Sequence, residues 1–131
     1  MQVQYCLQKQ TRRHLPERQT NESISELGRD QQLCCIDCGN VITAMQFAIE
    51  HLGKQRHFVQ NAAGEQYHIA LYEQAFGCGI AGVPTTDFTW FPPHSWRFAY
   101  CRRCRLQLGW QFSGRKPFFA LIERLLKACD E

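Results

Sequence analysis

Leu33-Cys34-Cys35-Ile36-Asp37-Cys38-Gly39-Asn40 and Cys101-Arg102-Arg103-Cys104 are the stretches that decide how this chain folds. Each contains a Cys-x-x-Cys pair, which sets two thiols on one tight turn. Gly39 and Asn40 supply turn residues after the first pair. Two such turns provide the four soft ligands of a tetrahedral structural zinc. The spacing therefore nominates Cys35, Cys38, Cys101 and Cys104 as metal ligands. Cys34 competes with Cys35, but Cys35 reproduces the spacing of the second pair. The alternative is two redox pairs, and no thioredoxin-like βαβ pattern accompanies either one. Residues 39–100, between the knuckles, exceed the loop of a simple zinc ribbon. A metal here would staple together two hairpins from distant parts of one domain. Arg102 and Arg103 either offset the negative charge of four thiolates on one divalent ion or are a basic surface pair.

At 131 residues, 44% of them hydrophobic, the chain has the size and composition of a single globular domain. Its net charge of +3 falls short of the electrostatic footprint of a nucleic-acid-binding domain. Of its eight cysteines, Cys6, Cys78 and Cys129 are expected to be ordinary thiols. Met1 to Gln10 is polar and has no apolar core of a signal peptide, and no apolar run is long enough to span a bilayer. The expected setting is cytoplasmic, with reduced thiols. His14, His51, His57, His68 and His94 are scattered, and no Gly-rich phosphate loop is present.

Residues 1–32 form a polar lead-in, with a short helical segment at Ser23-Ile24-Ser25-Glu26-Leu27, and residues 33–131 form the domain. Short strands are expected at Val41-Ile42-Thr43, Met45-Gln46-Phe47 and His57-Phe58-Val59. Asn61-Ala62-Ala63-Gly64 is a turn. Tyr67, Ile69 and Leu71 share one strand face. Phe76 to Val83 is interrupted by glycine, as at a bulge. Trp96 to Tyr100 and Leu106 to Phe112 are further strands. Phe118, Ile122, Leu125 and Cys129 follow helical spacing, and Pro117 suits a first helical position, so a C-terminal helix is expected. The fold class is mainly β, antiparallel, with one C-terminal helix.

The three tryptophans all fall within residues 90–110. Trp90-Phe91-Pro92-Pro93-His94-Ser95-Trp96 is a loop stiffened by two prolines. Trp110 and Phe112 share a strand face, and Gly109 leaves room for close approach. The aromatics either build core or wall a cage for a planar ring or a cation. Composition favours core, and the stiffened loop favours a cage.

Together these motifs resemble the CULT family, the thalidomide-binding domain of cereblon and its stand-alone relatives. The resemblance covers roughly residues 33–126. It rests on Leu33 to Cys38, Asn61-Ala62-Ala63-Gly64, Trp90-Phe91-Pro92 with Trp96, Cys101 to Cys104, Gly109-Trp110-Gln111-Phe112 and Phe118-Phe119-Ala120-Leu121. It implies a β-tent, two antiparallel sheets meeting at an angle and pinned by zinc. It implies a pocket walled by Trp90, Trp96 and Trp110 and closed at its base by Phe112. Asn61 matches the family's pocket-edge asparagine, and backbone groups at Phe88 and Trp90 take the positions that bond an imide. The implied ligands are cyclic imides such as glutarimide, uracil-like rings and C-terminal cyclic imides on damaged proteins. Phe88 stands where the family has histidine. Phe91-Pro92-Pro93-His94 stands where it has Phe-Pro-Gly-aromatic, and His94 is expected to face solvent. Ubiquitin-ligase partners are not implied, because nothing in the chain resembles the domains that recruit them. No catalysis is implied.

Two other readings compete. A methionine sulfoxide reductase B-like enzyme needs a reactive thiol, and Cys78 is the non-knuckle candidate. A zinc-ribbon nucleic-acid module would use Arg97, Arg102, Arg103 and Arg105.

Overall fold

The computed structural model describes residues 31–129. Residues 1–30, with the expected helical segment at Ser23 to Leu27, Cys6 and His14, lie outside the described residues, as do residues 130–131. β1 (Gln32–Cys35), β2 (Val41–Ala44) and β9 (Leu126–Ala128) form a three-stranded sheet in the order β2-β1-β9. The other strands are β3 (Arg56–Gln60), β4 (Gln66–Tyr72), β5 (Cys78–Thr85), β6 (Ser95–Cys101), β7 (Gln107–Ser113) and β8 (Phe118–Ile122). They form a six-stranded sheet in the order β3-β4-β8-β7-β6-β5. Every pairing in both sheets is antiparallel. The fold is thus mainly β with two antiparallel sheets, as expected. Among the described residues, no helix is long and apolar enough to cross a membrane.

Register assigns each side of the large sheet its task. Residues directly opposite one another share a face. Trp96 faces Phe112, Phe98 faces Trp110, Phe112 faces Phe118, and Trp110 faces Ala120. Leu71 and Ile69 extend the same face opposite Ala120 and Ile122. This aromatic side buries Val59, Ile69, Leu71, Phe91, Phe112 and Phe118. The other side presents Ala70, Tyr72, Ala99 and Leu121, which pack with Cys35 and Ile42 of the small sheet. The sheet is therefore covered on both sides. A Cβ on Gly109 would collide with the backbone of Ala120 and Leu121. The glycine lets β7 and β8 close up beside Trp110.

Three expectations are corrected by the fold. The C-terminal helix is absent: Phe118–Ile122 is strand β8, and only a 3-10 turn at Glu123–Leu125 follows before β9. β8 lies between β4 and β7 with Phe118, Ala120, Leu121 and Ile122 buried. A central strand covered on both faces reads as an unbroken apolar run, which periodicity does not separate from a helix. Met45–Phe47 is likewise a 3-10 turn, not a strand.

The third correction concerns the thiols. β9 lies against β1 with Leu33 opposite Ala128, and the Cys129 amide donates to the Gln32 carbonyl at 3.0 Å. This brings Cys129 beside Cys34, and the two form a disulfide with Cα atoms 5.2 Å apart. Cys34 is thereby removed as a competing metal ligand, and Cys129 is not a free thiol.

Candidate metal centre and ligand pocket

The two knuckles are built alike. The Cys35 amide donates to the Asn40 carbonyl and the Gly39 amide to the Cys35 carbonyl, at 2.8 and 2.9 Å. In the second knuckle the Cys101 amide donates to the Leu106 carbonyl and the Arg105 amide to the Cys101 carbonyl, both at 2.8 Å. Both turns need a left-handed residue, and Gly39 (φ 79°) and Arg105 (φ 69°) supply it. Glycine takes that conformation freely, whereas an L side chain does so at a cost. The first knuckle was therefore the easier to read from sequence.

The four sulfurs of Cys35, Cys38, Cys101 and Cys104 all lie within 4.8 Å of one another. Cys35 Sγ is 3.6 Å from Cys104 Sγ, and Cys38 Sγ is 3.6 Å from Cys101 Sγ. A tetrahedron with metal–sulfur bonds of about 2.3 Å has edges of about 3.8 Å, so the spacing suits one ion bound by four thiolates. The cluster could hold a metal ion. At Cys101, burial opposes ionisation, but hydrogen bonds from the Cys104 and Arg103 amides, Cys38 and Asn40 together bring the thiol down to about 7. Asn40 Nδ2 also approaches this sulfur at 3.7 Å. Of the flanking arginines, Arg102 donates through Nε to the Phe76 carbonyl at 3.2 Å, and Arg103 turns its amide toward Cys101 Sγ at 3.4 Å. Cys78 is buried, and desolvation pushes its thiol up to about 12. That disfavours the thiolate a nucleophile needs.

The tryptophans reach their places by different routes. Trp96 and Trp110 stand on the aromatic face of β6 and β7. Trp90 comes from the loop between β5 and β6. Phe91 anchors that loop: it is 1% exposed, with ring centroids of Phe112 at 5.0 Å and Phe118 at 5.3 Å. Trp90 then lies edge-to-face on Trp110 at 4.7 Å and tilted over Phe112 at 6.2 Å. The polar ends of two indoles are bound to backbone, with Trp90 Nε1 donating to the Gln60 carbonyl and Trp96 Nε1 to the Asp87 carbonyl, each at 2.8 Å. Their N–H groups fix the rings instead of facing a ligand.

A cavity of about 380 Å³ opens between these rings. Asn61, Phe88, Trp90, Trp96, Trp110 and Phe112, the six residues the sequence nominates, all line it. Trp110 and Phe112 are buried at its base, and Trp90 and Trp96 are half-buried walls. Phe88 (φ 59°) occupies the third position of a turn closed by the Thr89 amide on the Thr86 carbonyl, a place that favours glycine or asparagine. Asn61 caps its own hairpin turn, its Oδ1 accepting from the amides of Ala63 and Glu65 at 2.9 Å each.

Sequence reasoning missed Ala62, Ala63, Glu65, Tyr67, Phe98 and Gln107, which also line the cavity. Alternation placed Tyr67 on the face of Ile69 and Leu71, and its contact with Trp110 at 5.2 Å is the extension of that signal. His94 was expected to face solvent. It is instead half-buried, packed on Phe118 at 5.2 Å, with Nδ1 2.9 Å from the Phe91 carbonyl. It braces the loop from behind.

No family model matches the chain. Among curated proteins it is similar to cereblon from Gallus gallus, 31% identical over 113 residues, covering 76% of this chain and 25% of that protein. Cereblon from Danio rerio is 31% identical over 93 residues, covering 69% of this chain and 21% of its own. Cereblon from Xenopus tropicalis is 32% identical over 84 residues, covering 62% and 19% respectively. The chain thus aligns with a quarter or less of the length of these relatives.

Proposed function

This chain carries a cereblon-type CULT domain, and on that premise we propose that it is a zinc-stabilised binding domain for a cyclic imide or a uracil-like ring. Trp90, Trp96 and Trp110 wall the ring, Phe112 floors it, and Asn61 and the backbone at Phe88 and Trp90 meet its polar edge. One observation supports this above all: the six residues nominated from sequence line a single cavity, although they come from three separate stretches of chain. At about 380 Å³ the cavity lies in the range of small-molecule pockets, roughly 300–1,000 Å³. A bare imide ring has about eight non-hydrogen atoms, and at roughly −1 kcal/mol each it reaches about micromolar affinity.

Zinc is the metal that four thiolates at these distances suit, and its part is structural. It holds the turn after β1 to the turn after β6, which fixes the β6–β7 hairpin carrying Trp96 and Trp110. No catalytic role is proposed. Cys78, the thiol an enzyme reading would use, is buried at 2% exposure. Two of the four arginines of the nucleic-acid reading have their side chains engaged within the fold, Arg102 on the Phe76 carbonyl and Arg105 over the Tyr100 ring. The partner is a free small molecule or a protein C-terminus ending in a cyclic imide, and no ligase role is proposed.

Titration with glutarimide, thalidomide and uracil, followed by intrinsic tryptophan fluorescence on metal-loaded protein, tests the reading. Saturable quenching near micromolar glutarimide or thalidomide is expected. A flat response with zinc bound at one ion per chain refutes it.

A further inference from the structure

The cavity is larger than the ring proposed for it. Even at the roughly 30 Å³ that each water molecule occupies in the liquid, eight ring atoms fill no more than about 240 Å³. The remainder of the about 380 Å³ is lined by residues outside the cage, and among all the lining residues Glu65 alone carries a charge at neutral pH.

Glu65 is held in place by its hairpin. The Asn61 amide donates to the Glu65 carbonyl, and the Glu65 amide donates to Asn61 Oδ1, both at 2.9 Å. Its carboxylate is set by two donors, Tyr67 Oη at 2.8 Å and Asn61 Nδ2 at 3.0 Å. Both converge on Oε1. Among the described residues no donor reaches Oε2, and no lysine or arginine forms an ion pair with this side chain. The Tyr67 hydroxyl, then Asn61, holds the carboxyl below the usual carboxylate range, so it is ionised at neutral pH. Tyr67 itself packs edge-to-face on Trp110 at 5.2 Å, linking the carboxylate to the cage wall. Glu65 is exposed, whereas Trp110 and Phe112 are buried, so the charge stands at the mouth and the aromatic base lies deeper.

A fixed carboxylate with one free oxygen beside aromatic rings is a cation-recognising arrangement. We infer that Glu65 is a specificity residue that selects ring ligands whose outward substituent carries an ammonium group. The ring sits in the cage, and its cationic arm leaves along the Asn61–Tyr67 rim and meets Glu65 Oε2. An acidic arm at the same place is rejected. This rests on the cage reading and refines it from imides in general to imides with a cationic exit group. Because the rim is exposed, the preference is modest, of the size of a surface ion pair, about three- to fivefold. It weakens as salt is raised.

Calorimetric titration of the metal-loaded protein at low salt provides the test. The probes are glutarimide, 3-(glycylamino)glutarimide with its free ammonium, and the N-acetylated form of the latter, which is neutral. The ammonium probe is expected to bind about three- to fivefold tighter than its acetylated twin. In Glu65→Gln, which keeps an acceptor for Tyr67 and Asn61, this ratio is expected to fall to about one. Reading the ratio within each protein cancels any general change in the pocket. If glutarimide binds but the wild-type ratio is one, or Glu65→Gln leaves the ratio unchanged, the role of Glu65 is overturned and the cage stands. If glutarimide itself does not bind, the cage reading fails and this inference fails with it.

Discussion

Trp90→Ala removes the cage wall that the loop supplies, and its consequences can be worked out contact by contact. The indole donates one hydrogen bond to the Gln60 carbonyl at 2.8 Å. Such a bond contributes a net of about 1 kcal/mol. The edge-to-face pair with Trp110 at 4.7 Å adds about 0.5–1.5 kcal/mol beyond its buried area. Trp90 is only half-buried, so the loss of apolar burial is partial. Stability should fall by roughly 2–3 kcal/mol, or about 10–20 °C in Tm for a domain of this size. Binding should fall more conspicuously. Stacking of a planar ring on an aromatic side chain is worth about 1–3 kcal/mol by alanine substitution, which is about 5- to 150-fold in Kd. Trp90→Phe separates the two effects. It keeps a ring face but loses the N–H donor, and the Gln60 carbonyl lies on an exposed strand end where water can replace that donor. Trp90→Phe should therefore lose less stability than Trp90→Ala while retaining most of the affinity. Thermal melts by circular dichroism and calorimetric titration with glutarimide measure both quantities. A folded Trp90→Ala protein that binds within twofold of wild type would refute the assignment of Trp90 as a wall.

Other outcomes are expected. Cys101→Ser, or chelation, should unfold the domain, because structural zinc contributes about 10–16 kcal/mol against a typical total of about 5–15; circular dichroism alongside zinc analysis checks this. Replacing both Cys34 and Cys129 by serine opens a cross-link spanning 95 residues and should cost up to about 4–5 kcal/mol in the chain-entropy account, with zinc retained. A melt with and without reductant on wild type gives the same comparison. His57 is buried, and burial, the largest cause, lowers its pKa from 6.5 to about 4. Below 6.5 the unfolded chain takes up a proton that the folded chain refuses, so stability is full above that pH and falls as the pH drops from 6.5 toward 4. The steepest loss is about 1.4 kcal/mol per pH unit, and His57→Gln should flatten this part of the profile, measured as wild type minus variant so that acid release of zinc cancels.

A disulfide is characteristic of oxidising compartments and is rare in the cytosol. The Cys34–Cys129 bond thus weighs against the cytoplasmic setting expected from the polar first residues. Mass analysis after alkylation without reductant reports its state directly.

Spacing by itself picked out the four cysteines that could hold a metal ion, because a Cys-x-x-Cys turn is a local object and two matching turns leave few ways to choose four thiols. Alternation determined β4, β6 and β7 and the shared face of Trp110 and Phe112, since the direction of side chains along a strand is also local. What lies across the sheet was decided only in three dimensions. β8 is a strand because β4 and β7 flank it, and nothing in Phe118 to Ile122 separates a strand buried on both faces from a buried helix. That assignment in turn places β9 beside β1 and closes the disulfide. Glu65 and Tyr67 lie far from Trp110 in the chain, and antiparallel register through β4, β8 and β7 brings them to one rim. Packing also divides the aromatic residues between core and cavity: Phe91 takes a core position, and its neighbour Trp90 is left half-buried on the cavity wall.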